Sequence, residues 1–250
     1  MNPNLAGIIT QKQSTRSLAV MLGTRPGLLV SVRNEDEALA AHQGGANVID
    51  IKEPEEGPLG AASPRIWREI CQSLPESFAV TAALGELLDL SHDSLGHLPH
   101  SVAAVKAGPA GCSSAKAYFD ELVALQFRIS TEVVAVAYAD HHRAGSPAVG
   151  QMIQEAVERR WAWFLIDTFE KDGQGLLDWL GIEKLLEIAR ACISSRTHLV
   201  LAGSIRLDQV AKLQAVCPTL LAVRGAVCDG GRTGKIDPLK VAELSAKLRS

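Results

Sequence analysis

Eight short, almost wholly apolar runs recur at near-constant spacing, beginning near Leu28, Asn47, Phe78, Val102, Thr131, Ala162, His198 and Leu220. Their mean interval is about 27 residues, the length of one strand-plus-helix unit of an α/β barrel. Runs such as Leu-Leu-Val-Ser-Val at 28–32, Val-Val-Ala-Val at 133–136 and Leu-Val-Leu-Ala at 199–202 carry hardly a polar residue. Strands read this way when both faces are buried, as in a parallel sheet covered by helices. Helical patterns fill the intervals at Glu35–Gln43, Ser114–Leu125, Pro147–Arg159, Ile182–Ile193 and Leu207–Val216. Gly44 and Gly45 stop the first of these. Asp237 caps a last helix that opens on Pro238 and runs to Leu248.

This pattern predicts an α/β chain with a single (β/α)8 TIM barrel over residues 27–250. The unit between the third and fourth strands is irregular, because Gly96 and Pro99 interrupt any long helix there. A doubly wound open sheet is the alternative, but no G-x-G-x-x-G follows the first strand. Residues 1–26 form a short N-terminal extension. It holds Lys12, Arg16 and Arg25 with no acid, and the first acid is Glu35. Its apolar run, Leu18 to Leu22, is too short for a signal-peptide core, so a flexible extension is expected.

Composition narrows the function classes. With 47% hydrophobic and 21% charged residues, the chain is too apolar for disorder. A net charge of −3 gives no footprint for general nucleic-acid binding. No apolar run approaches the roughly 18 residues of a membrane span. The five cysteines are odd in number and form no C-x-x-C pair, which disfavours a disulfide framework or zinc ribbon. A reducing cytoplasm fits them best.

Catalytic groups of such a barrel sit at the C-terminal ends of its strands. Strand two ends in Asp50-Ile-Lys52, whose two polar residues are two apart and share a face. Strand four ends in Val-Lys106, and strand six in Ile-Asp167-Thr168 with Lys171 just beyond. Lysine is rarely buried unless paired. Each lysine alone is explained equally well by a structural ion pair. Together, Lys52, Lys106, Asp50 and Asp167 converge on one mouth, and that set suits amine catalysis. A neutral lysine attacks a carbonyl, and desolvation or a second cation makes it neutral. The carboxylates then move protons.

Strands seven and eight end in Ala-Gly203-Ser204 and Val-Arg224-Gly225, where barrels often hold a phosphate on backbone N–H groups. Glycine allows close approach, and Ser204 and Arg224 add side-chain donors. Arg224 tying strand eight to a carboxylate is the structural alternative. A metal site competes weakly: His92, His97 and His100 share one loop and His141 adjoins His142, without zinc spacing.

At these residues the sequence resembles the (5-formylfuran-3-yl)methyl phosphate synthase family, from about Leu28 to the C-terminus. The resemblance rests on an ordered set: Leu-Leu-Val-Ser at 28–31, Gly-Gly-Ala-Asn-Val-Ile-Asp-Ile-Lys-Glu-Pro at 44–54 and Glu-Gly-Pro-Leu-Gly-Ala at 56–61. It continues with Val-Lys-Ala-Gly at 105–108, Tyr-Ala-Asp at 138–140 and Asp-Thr-Phe-Glu-Lys-Asp-Gly at 167–173. Leu-Ala-Gly-Ser-Ile at 201–205 and Val-Arg-Gly-Ala-Val-Cys at 223–228 complete it. The chain departs in its basic N-terminal extension, in Gly85-Glu86 where the family favours Gly-Asp, and in a shorter segment after strand three.

The resemblance implies a lyase that condenses two glyceraldehyde 3-phosphate molecules into a phosphorylated furan aldehyde for a methanofuran-type cofactor. It places the Schiff-base lysine at Lys52, a supporting aspartate at Asp50, a second lysine at Lys106, and a later Asp and Lys at Asp167 and Lys171. It implies a small phosphorylated triose as partner, no cofactor and no metal. Neither nucleic acid nor membrane is expected as a partner, and a homo-oligomer stays open. Another Schiff-base aldolase of phosphorylated sugars, or a non-catalytic phosphate-binding barrel, are the alternatives.

Overall fold

The computed structural model describes residues 18–21 and 26–249 of the 250. Eight parallel strands close into a barrel in chain order: β1 (Gly27–Val32), β2 (Val48–Ile51), β3 (Ala79–Glu86), β4 (Val102–Gly108), β5 (Glu132–Tyr138), β6 (Trp163–Asp167), β7 (His198–Leu201) and β8 (Leu220–Val223). β8 pairs with β1, Leu28 opposite Leu221, so no open edge remains in the sheet. Helices α1 (Glu35–Gln43), α2 (Pro64–Ser73), α3 (His92–Leu95), α4 (Ala115–Arg128), α5 (Val149–Glu158), α6 (Leu176–Trp179), α7 (Ile182–Ser195), α8 (Val210–Gln214) and α9 (Pro238–Arg249) fill the connections. After β8 a small antiparallel hairpin, β9 (Cys228–Asp229) and β10 (Lys235–Ile236), stands over the mouth.

Local chemistry sets the helix starts. The Asn34 side chain accepts from the Glu37 N–H at 3.0 Å and opens α1. Ser63 caps α2 with Pro64 at its first position. Asp237 accepts from the Leu239 N–H at 2.8 Å before α9, as its sequence predicts. Two units differ from simple helices. The third has only a 3-10 turn, Leu87–Asp89, and the single turn α3, in keeping with Gly96 and Pro99. The helix expected over Leu207–Val216 starts as a 3-10 turn, Leu207–Gln209, before the short α8.

Alternation along the strands divides the buried residues. One set, including Val30, Ile49, Val105 and Ile166, packs outward on the helices. The other faces the barrel axis: Leu29, Val48, Trp163, Leu165, Val200 and Leu220, with Ala79, Ala83, Ala104 and Ala202. Bulky branched side chains normally fill a TIM-barrel interior. The alanines here leave a cavity of about 420 Å³ that opens at the C-terminal mouth.

At the opposite end, Leu18–Met21 forms a 3-10 turn and Leu18 is buried among the interior residues. Its N–H donates to Glu132 Oε2 at 3.4 Å, and the Trp163 indole N–H donates to the same oxygen at 3.1 Å. This part of the N-terminal extension therefore packs on the barrel. Residues 1–17 and 22–25, where flexibility is also expected, lie outside the described residues. Among the described residues no helix is long and apolar enough to cross a membrane.

Candidate active site

The cavity brings Lys52, Asp50, Lys106, Asp167 and Lys171 together, as convergence of the strand ends predicts. Alternate strands contribute side chains to a common interior layer. β2, β4 and β6 thus aim their polar ends at one another, although none is a sheet neighbour of the others.

Asp50 is buried and serves three donors. Ser31 Oγ donates to its Oδ2 at 2.9 Å, Thr81 Oγ1 to its Oδ1 at 2.7 Å, and Lys106 Nζ forms an ion pair with Oδ1. On the far side, Lys171 Nζ donates to Asp167 Oδ1 at 2.7 Å and to Thr168 Oγ1 at 3.0 Å. Burial alone would raise the Asp167 pKa. The ammoniums of Lys171 and Lys52 outweigh it and hold the carboxyl below its ordinary value.

Lys52 is arranged differently. Its Nζ donates to the Pro58 carbonyl at 3.2 Å and makes no ion pair within 4.0 Å among the described residues. Burial pulls its pKa from 10.5 down to about 8. Asp167 and Asp50 push upward, while Lys171 and Lys106 push downward. Asp50, expected beside Lys52, thus spends its bonds on Lys106, Ser31 and Thr81.

The carbonyl that holds Lys52 belongs to a folded loop after β2. Glu53 N–H donates to the Gly60 carbonyl at 2.9 Å, closing the loop on itself. A Cβ at Gly60 would lie 2.2 Å from the Glu53 oxygen, so only glycine fits there. Arg232, in the turn between β9 and β10, donates from Nη2 to the Gly57 carbonyl at 2.7 Å and secures the loop from across the mouth.

Of the residues expected at phosphate, Gly203, Ser204 and Gly225 line the mouth. Gly203 has φ +99°, and a Cβ there would meet the Thr168 N–H and methyl at 3.1 and 3.0 Å. Ser204 also takes a left-handed conformation, φ +47°, so this turn holds an unfavourable backbone for a non-glycine residue. Arg224 lines the cavity wall but has no side-chain donor left for a ligand. It is bidentate to Glu37 at 2.8 and 3.1 Å and donates to the carbonyls of Ser31, Arg232 and Gly234. These bonds use all five guanidinium N–H groups. The structure places Arg224, expected at phosphate, on the seam between β1 and β8. Burial disfavours the Glu37 charge, but hydrogen bonds from Arg224 and Arg33 outweigh it and lower its pKa.

The histidines weighed as metal ligands are elsewhere: His97 and His100 are exposed on the loop before β4. Glu86, the departure at the end of β3, accepts from Tyr138 OH at 2.5 Å and from the Ala110 N–H at 3.0 Å. The longer acid reaches across Gly108, where a Cβ would sit 2.0 Å from its oxygen.

A family model described as 4-HFC-P synthase matches residues 28–245. The chain belongs to the 4-HFC-P synthase family. It is 35% identical over 216 residues to the (5-formylfuran-3-yl)methyl phosphate synthase of Methanopyrus kandleri, covering 83% of this chain and 91% of that one. Identity to the Methanobrevibacter smithii protein of the same name is 34%, over 87% of this chain and 96% of the relative. Among solved structures, phosphoribosyl anthranilate isomerase from Thermotoga maritima superposes with a TM-score of 0.63 at 17% identity, over 90% of this chain and 98% of that one. That likeness concerns the fold alone.

In this member of the 4-HFC-P synthase family, sequence reasoning missed four side chains at the site. Ser31 and Thr81 hold Asp50, and each is the polar residue in an otherwise apolar buried run, β1 and residues 79–84 of β3, a usable signal. Arg232 and Arg206 line the cavity from turns that carry no strand or helix pattern, so nothing local marked them.

Proposed function

We propose that this chain condenses two glyceraldehyde 3-phosphate molecules into (5-formylfuran-3-yl)methyl phosphate through a Schiff base on Lys52. The observation that carries this reading is the division among the three lysines. Lys106 and Lys171 each have a carboxylate, whereas Lys52 has a neutral carbonyl and a pKa pulled down to about 8. A lysine must be neutral to attack a carbonyl, and at pH 7 about a tenth of this one is neutral, roughly two to three hundred times the share of an ordinary lysine. The names of the relatives support the product, and the reading places that product in methanofuran-type cofactor synthesis.

In this mechanism Lys52 attacks the carbonyl of one triose phosphate, with isomerisation to the ketone form, and loses water. The resulting imine acidifies the neighbouring C–H, and Asp167 with Lys171 takes and returns protons. The enamine carbon bonds to the aldehyde carbon of the second triose. Elimination of one phosphate, ring closure and dehydration release the furan and the free amine. The balance is two triose phosphates to one furan phosphate, one phosphate and two waters. Asp50 holds Lys106 in place through their ion pair. Lys106 disfavours a positive Lys52 and faces the developing negative charge. Backbone N–H groups at Gly203, Ser204 and Gly225, with Arg232, take the substrate phosphates. The imine is the electron sink, so no metal is required.

The test is incubation with glyceraldehyde 3-phosphate alone, followed by furan absorbance and released phosphate. Borohydride added during turnover should add mass to the peptide containing Lys52. A different condensation product would make the chain another Schiff-base aldolase. No product would leave a binding protein, and an adduct at Lys106 or Lys171 would move the nucleophile.

A further inference from the structure

The cavity has two ends of opposite character. Its upper wall carries Asp50, Lys52, Lys106 and Asp167, and its lower wall Leu18, Leu29, Trp163 and Leu220. The lower residues stand at the N-terminal ends of β1, β6 and β8, and Leu18 comes from outside the barrel altogether. Leu29, Trp163 and Leu220 narrow the lower end, and Leu18 packs with them from beneath. Leu18 is 1% exposed there, and its N–H is held by Glu132 at 3.4 Å. The match to the family model begins at residue 28, so this closure lies outside the family core.

We propose that Leu18 is the floor of the active-site cavity, and that the turn Leu18–Met21 stoppers the N-terminal end of the barrel, so that bulk water can approach the Lys52 amine from the mouth alone. The idea rests on Lys52 being the nucleophilic amine. The charged groups facing that amine are Asp50 on its own strand, Lys106 from β4, and Asp167 with Lys171 from β6. Two carboxylates favour its charge and two ammoniums oppose it, and burial is the largest influence. Burial is also the influence a leaking floor removes. Water reaching the cavity from below would solvate the ammonium and favour its protonated form. Leu18 thereby acts as a positioning residue through solvent exclusion, without touching the reacting atoms.

The experiment uses the full-length chain with Leu18→Asn, Leu18→Ala and Leu18→Met. Borohydride trapping of Lys52 by glyceraldehyde 3-phosphate is followed against pH, beside a thermal melt. Leu18→Met should keep the wild-type midpoint. Leu18→Asn, and less strongly Leu18→Ala, should move it upward by a unit or more. From a pKa of about 8, one unit lowers the neutral fraction at pH 7 about ninefold, and trapping should slow to match. An unchanged midpoint in a folded Asn or Ala variant, whatever its melting temperature, would overturn the proposal. So would failure of both to fold, which would make Leu18 a core residue only. Absence of any Lys52 adduct in the wild-type chain is a separate result and removes the Schiff-base reading instead.

Discussion

Two groups of buried charge stand at the mouth of this barrel, and they are satisfied to different degrees. On the seam of β1 and β8, Glu37 binds both Arg224 and Arg33, and Arg224 has a partner for every donor. Around β2, β4 and β6, three lysines share two carboxylates, and Lys52 is left with a carbonyl. A buried charge with full hydrogen bonding can be a fixed part of the fold. A buried charge short of a partner costs stability, and the protein relieves that cost by giving up the proton. The first group is accordingly the architecture of the mouth. The second is the group to which the proposed chemistry is assigned.

The largest break in that comparison should come from Lys52→Met. Product formation should fall at least about a thousandfold, as expected for loss of a covalent nucleophile. Stability should move the other way. Unfolded Lys52 titrates at its ordinary 10.5, whereas the folded residue titrates at about 8. Below pH 8 both states are protonated, and the folded state bears the full cost of the buried charge. Between pH 8 and 10.5 the unfolded state binds more protons, so wild-type stability rises with pH. Removing the amine should therefore stabilise the chain most below pH 8, by up to roughly 3 kcal/mol, and the gain should fade towards pH 10.5. Melting curves at pH 6.5 and 10 decide it. A lower melting temperature for Lys52→Met at pH 6.5 would mean the amine is better satisfied than its contacts indicate.

Arg224→Ala should do the converse. It leaves the buried Glu37 carboxylate and the Gly234 carbonyl to Arg33 alone and removes the side-chain donor to the Ser31 and Arg232 carbonyls, and breaking such a buried pair costs up to about 3–5 kcal/mol. Enzyme that survives should keep its KM for the triose phosphate. Arg224→Lys should recover little, since an ammonium cannot bridge Glu37 and three carbonyls at once. Denaturant melts beside steady-state kinetics measure both effects. A large rise in KM at nearly unchanged stability would return Arg224 to the phosphate site.

The contrast between these two arginine and lysine groups also marks how far the sequence could be read. Strands were legible because burial on both faces leaves only apolar residues, and a polar residue in such a run stands out. Asp50 and Lys52 were legible as a same-face pair on β2 for that reason. Lys106 and Asp167 were legible as members of the same mouth, but which carboxylate pairs with which lysine was not, because these residues meet across the barrel rather than along the sheet. Arg224 was visible at the end of β8, but its partner Glu37 lies 187 positions earlier, on α1. Periodicity carries no information about such pairings. Arg232 was missed because a glycine-rich turn has no period to betray which way a side chain points.

Arg232 gives the smallest expected effect and the sharpest separation of the two groups, because it belongs fully to neither. Its guanidinium lines the cavity and is half-buried, and its bond in the structure goes to the Gly57 carbonyl at 2.7 Å. Burial works to lower its pKa, and the Asp167 carboxylate works against that. A substrate phosphate would offer the same guanidinium a charge-assisted bond, roughly twice as strong as one to a neutral carbonyl. If Arg232 takes the phosphate, Arg232→Gln should raise KM about 10- to 150-fold, the equivalent of roughly 1.5–3 kcal/mol, with little change in melting temperature. Inhibition by inorganic phosphate should weaken by a similar factor. If Arg232 only secures the loop, the same substitution loosens Pro58, the acceptor of Lys52 Nζ. The loss would then fall on kcat, and phosphate would inhibit the variant as well as the wild type. That second pattern would place the phosphates wholly on the backbone around Gly203, Ser204 and Gly225, and would make Arg232 part of the architecture alongside Arg224.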